Sequence, residues 1–82
     1  MSKLFQHYNN FDINDKYKDI VGKRFKINIP EKVQCCSRIL SEGSIVTVFI
    51  RNSKNKIGIK ELNGWCHKIK ISTLNRISEQ ID

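Results

Sequence analysis

Between residues 43 and 74, apolar and polar positions fall into three strand-length runs: 44–51, 56–62 and 65–71. Asn52-Ser53-Lys54-Asn55 and Asn63-Gly64 separate them, and compact turns of this kind between β-branched runs are a strong hairpin signal. The first run is apolar on both faces (Ile45, Val46, Val48, Phe49, Ile50), as in a strand between two layers. If Val46, Val48 and Ile50 face the core, Phe49 faces out. In the second run Ile57 and Ile59 point inward, and Lys56, Gly58 and Lys60 outward. Glu61 breaks the alternation before Leu62, which predicts a bulge. Asn63-Gly64 predicts a two-residue type I′ turn. The third run sets Trp65, His67, Ile69 and Ile71 against Cys66, Lys68 and Lys70. Trp65 reads as a core residue with one side of its indole near solvent.

The flanks extend the pattern. From Lys23 to Ile29, Phe25, Ile27 and Ile29 alternate with Arg24, Lys26 and Asn28, a strand that Pro30 closes. Glu31 to Glu42 is expected to be a long irregular connection pinned by Val33, Ile39 and Leu40. Ser72-Thr73-Leu74 reads as a 3₁₀-like turn, and Asn75-Arg76-Ile77 as a short closing strand. Three segments follow: an N-terminal extension (1–20), a β domain (21–77) and a disordered tail (78–82). In the extension Leu4, Phe5, Tyr8, Phe11, Ile13 and Tyr17 keep no lasting period. Asn14 is placed to cap a short helical turn that Gly22 ends. The segment either covers one end of the domain or serves as an aromatic arm for a partner, a homodimer included.

The order of strand, long loop, strand, short turn, strand, tight hairpin, strand, 3₁₀ turn, strand resembles that of the SH3-like barrel. Asn63-Gly64-Trp65 is similar to the Gly-Trp of bacterial SH3 domains. Gly43 to Val48 is similar to the second strand of ribosomal-type and transcription-factor barrels. The resemblance implies an all-β fold, a small five-stranded SH3-like barrel with an irregular or short-helical N-terminal extension. The acidic first loop and aromatic cluster that hold proline-rich peptides in eukaryotic members are missing, and so is the glycine spacing of the ribosomal-type motif. An OB barrel is the alternative, but it often places a helix where only Asn63-Gly64 stands here.

Composition narrows the function. Eighty-two residues make one small domain with little room for a deep cleft. No apolar run is long enough for a membrane-spanning helix, and Met1 to His7 does not continue into a secretory-type apolar stretch. With three cysteines, two of them adjacent (Cys35, Cys36), free thiols in a reducing cytoplasm are expected. The net charge of +7 is concentrated: residues 43–76 hold seven cations and a single acid, Glu61. Lys, Ile and Asn number 11, 13 and 8, a bias that an AT-rich genome would supply, but that bias does not account for the missing acids.

No catalytic motif emerges. Cys66 and His67 are neighbours, but successive strand side chains point to opposite faces. Cys35-Cys36 and Cys66-His67 lack the spacing of structural zinc ligands. The chain is therefore read as a non-enzymatic binding module without cofactor or metal. Its expected ligand is nucleic acid, DNA or RNA, or another polyanion bound with weak sequence specificity. The expected contacts are Arg24, Lys26, Phe49, Arg51, Lys54, Lys56, Lys60, Lys68 and Lys70, with Phe49 as an exposed aromatic among cations. The alternative is a protein-interaction module with an acidic-surfaced partner, such as a phage or plasmid accessory protein that inhibits or recruits a host or defence factor. Neither reading involves a membrane.

Overall fold

A computed structural model describes residues 17–33 and 38–81. The alternation at the start of the domain is realised in β1 (Arg24–Ile27), with Phe25 and Ile27 buried and Arg24 and Lys26 exposed. The strand ends earlier than expected. The chain bends after Asn28, and the amides of Asn28 and Ile29 both donate to the Ile77 carbonyl. Ile29 is thereby rotated out of the inward phase and is exposed.

The connection expected to be irregular contains a small antiparallel hairpin of β2 (Glu31–Val33) and β3 (Arg38–Leu40). Val33 and Leu40 are buried anchors, as expected, whereas Ile39 is 59% exposed. With Leu40 inward on a strand, its neighbour Ile39 must point away.

The meander follows as β4 (Ile45–Arg51), β5 (Lys56–Glu61) and β6 (Cys66–Lys70). Its bulge lies in β4 rather than at Glu61: Val48 pairs with Ile59 and Ile50 with Gly58, leaving Phe49 as the extra residue. Past that bulge the phase inverts. Ile50 leaves the core and Arg51, opposite Ile57, enters it. Glu61 keeps its inward phase opposite Val46 and is buried. Inside the closing Glu61–Trp65 pair the β5–β6 loop turns over three residues, 62–64, and not two. Glu61 N–H donates to the Trp65 carbonyl (2.8 Å), Gly64 N–H donates to the Glu61 carbonyl (3.0 Å), and Gly64 takes the left-handed φ of 98°. That third residue absorbs the misfit assigned to a bulge and leaves Leu62 81% exposed.

After β6, a seven-residue helix α1 (Ile71–Ile77) replaces the expected 3₁₀ turn and closing strand. Ile71, Leu74 and Ile77 recur every three residues and are all buried. The closing strand comes later, as β7 (Ser78–Gln80), in the segment expected to be a disordered tail. It pairs Phe25 with Gln80, Lys26 with Glu79 and Ile27 with Ser78.

The five-stranded sheet has the order β6-β5-β4-β1-β7 and is antiparallel throughout. It does not close into a barrel, because no ladder joins β6 to β7. One apolar cluster lies on its inner side, built from Ile20, Phe25, Ile27, Val33, Leu40, Val46, Val48, Ile57, Ile59, Ile71, Leu74 and Ile77. Tyr17 packs against it and Ile20 is part of it, so the last residues assigned to the extension belong to the core. The expected cap at Asn14 and the aromatic residues before Tyr17 lie outside the described residues, as do Cys35 and Cys36. Among the described residues, no helix is long and apolar enough to cross a membrane.

Candidate nucleic-acid interface

Residues directly opposite one another in a ladder share a side of the sheet, so the register shows which expected contacts meet. Arg24 faces Thr47, Thr47 faces Lys60 and Lys60 faces Cys66, a row across four strands. The next row is Ile50, Gly58 and Lys68; beyond it Lys56 faces Lys70. Lys56, Lys60, Lys68 and Lys70 are exposed and lie on the outer side of β5 and β6. Among the described residues none of these four lysines makes an ion pair. Lys26 sits further along, opposite Glu79, and Lys54 lies exposed in the β4–β5 turn.

Arg51 does not belong to this surface. It is 2% exposed. Its guanidinium donates to the carbonyls of Tyr17 (3.0 Å), Ser53 (3.3 Å) and Lys54 (2.7 Å). The β4 bulge is the reason, since it shifts Arg51 to the inner phase, where its fork of donors organises the turn and holds the Tyr17 backbone. The Ser53 hydroxyl completes the turn by accepting from the amides of Asn55 and Lys56.

Phe49 is 46% exposed, as its outward phase requires. With Ile50, Gly58, Cys66 and Lys68 it lines a recess of about 440 Å³. A Cβ on residue 58 would stand 2.5 Å from Ile50 Cγ2 and 3.0 Å from Phe49 Cζ, so both side chains fill space that a glycine leaves. A second recess, of about 260 Å³, adjoins the edge of β6 and is lined by Lys32, Lys56, Lys68 and Lys70, by Glu31 and Thr73, and by the apolar Val33 and Ile69.

The domain's inner side holds a polar cluster that single residues did not reveal. Glu61 Oε2 lies 2.6 Å from His67 Nε2 and accepts from Arg38 Nε at 3.0 Å. The Arg38 guanidinium lies over the Trp65 ring, 4.7 Å from its centre. Burial alone would push the Glu61 carboxyl up. The hydrogen bonds from His67 and Arg38, with the attraction of their charge, outweigh it and hold the carboxyl below its ordinary range. Trp65, expected in the core, is 51% exposed and serves as a surface on which Arg38 rests. The available signal was the hairpin register. With Ile59 opposite His67, Glu61 is a diagonal neighbour within reach of a long side chain. Cys66 is exposed while His67 is buried, so the two do not combine on one face. Among the described residues, no group of three or more His, Cys, Asp or Glu gathers in a way that suits a metal ion.

Comparisons with protein-family models, curated proteins and solved structures give no match to this chain. Fold and site define a class: a small, mostly β protein whose open five-stranded sheet turns a lysine-rich, aromatic-centred side outward.

Proposed function

We propose that this protein is a non-enzymatic module that binds nucleic acid through the outer side of β4–β6, on a fold related in topology to SH3-like barrels. The supporting observation is the cross-strand placement of Lys56, Lys60, Lys68 and Lys70. Lys56 and Lys70 stand opposite each other, an arrangement that costs stability in a sheet and that a polyanion relieves. Phosphates neutralised there release counterions, so affinity falls with added salt. Among the described residues the helix α1 is seven residues long and buries Ile71, Leu74 and Ile77, so it is not suited to the major groove, which favours recognition of backbone and shape over sequence.

The test is fluorescence anisotropy with labelled DNA and RNA, single- and double-stranded, at low and moderate salt. Reversal of Lys56, Lys60, Lys68 and Lys70 to Glu is expected to abolish binding while the circular dichroism spectrum is retained. Wild-type protein that binds no probe below about 50 µM at low salt would refute the reading. A second reading, a protein-interaction module, draws on the exposed Leu62 and Trp65 of the β5–β6 loop, and that negative result would favour it.

A further inference from the structure

The two outer recesses share Lys68, and their sequence along the sheet makes the ligand more specific. In the first, Phe49 faces out next to the buried Val48, the β4 bulge turns Ile50 out beside it, and Gly58 leaves both side chains a bed with no Cβ in it. Either feature alone would be ordinary in a bent strand. Together they present a half-exposed aromatic ring beside Lys68 and next to the Lys60 row.

The second recess, at the β6 edge, is lined by Lys32, Lys56, Lys68 and Lys70 together with the apolar Val33 and Ile69. Its lining acid, Glu31, is engaged by Arg76 Nη2 at 3.4 Å. The Gly58–Lys68 row and the Lys56–Lys70 row are two residues apart, about 7 Å along the strand. An aromatic surface and a nest of cations one short step apart fit a ligand that alternates a flat π face with a negative charge.

Resting on the nucleic-acid reading above, we propose that the ligand is single-stranded, with one base stacked on Phe49 and the adjoining phosphates held along Lys32, Lys56, Lys68 and Lys70. A duplex keeps its base faces stacked inside and offers Phe49 nothing to stack on. Single strands present both groups, and aromatic stacking combined with a basic track is how sequence-tolerant single-strand binding works.

The experiment compares labelled oligo(dT), oligo(rU) and a DNA duplex of about 12 nucleotides per strand. Each is titrated with wild-type protein and with Phe49→Ala, Phe49→Leu and Phe49→Trp. The expected result is tighter binding of single strands than of duplex. A roughly tenfold loss of single-strand affinity is expected in both Ala and Leu variants, with affinity retained in Trp and duplex binding unmoved. Leu keeps apolar bulk without the π face, so it separates stacking from simple burial. The Phe49 effect is expected on both the dT and the rU strand, because every base presents a π face. Salt-dependent binding that is equal for duplex and single strand, or that Phe49→Ala leaves unchanged, overturns this inference and leaves the basic-face reading standing. No binding to any probe overturns both.

Discussion

At the scale of single residues, Arg51 and Glu61 show how little a charge's identity says about its placement. Arg51 belongs to the most cation-rich part of the chain, yet all three of its guanidinium nitrogens are engaged with backbone carbonyls. Arg51→Met is expected to cost about 2 kcal/mol or more in urea unfolding, because three carbonyls lose a charged donor. Arg51→Lys should recover only part of that loss, since an ammonium lacks the planar fork. Glu61 is the acid of the same region, and it is buried against His67 and Arg38. Its folded carboxyl titrates below the ordinary value of 4.5, so its contribution is complete above that value and is lost as pH falls through the lower folded one. Thermal unfolding from neutral pH down to strongly acidic pH is expected to show a steeper acid loss in wild type than in Glu61→Gln. Parallel curves would mean that the Glu61 cluster contributes nothing to acid sensitivity.

At the scale of elements, the departures from the sequence pattern share one cause: short segments obeyed tertiary demands over local phase. The helix over 71–77 buries Ile71, Leu74 and Ile77 together. The three-residue β5–β6 loop exposes Leu62 so that Glu61 stays with its partners. β7 then pairs with β1 from a segment with no apolar run. Its placement depends on where α1 ends, which local composition does not report. Removing residues 78–82 is expected to cost on the order of 2 kcal/mol, read as a lower urea midpoint, because the β1 ladder loses its outer partner. The bare β1 edge should also raise aggregation, measured by light scattering. An unchanged midpoint would show that β7 adds little to the sheet.

At the scale of the whole molecule, charge and fold are arranged independently. The core could be built from the same apolar residues with neutral outer positions, so the lysine-rich side is a property of the surface. If Lys56, Lys60, Lys68 and Lys70 each meet one phosphate of a single strand, log affinity should fall against log salt with a slope of roughly −3. Restoring one charge at a time in the quadruple reversal should steepen the slope stepwise. A slope near zero would place the contacts elsewhere. The sequence by itself determined the β4–β5–β6 meander, the inward positions of Val46, Val48, Ile57 and Ile59, and the outward phase of the four lysines. Each of these follows from an alternation of period two that neighbouring residues enforce on one another. Only the tertiary structure decided the β4 bulge, the burial of Arg51, the Glu61–His67–Arg38 cluster, α1 and the pairing of β7. Those depend on which distant group stands opposite, a relation that no window of adjacent residues contains.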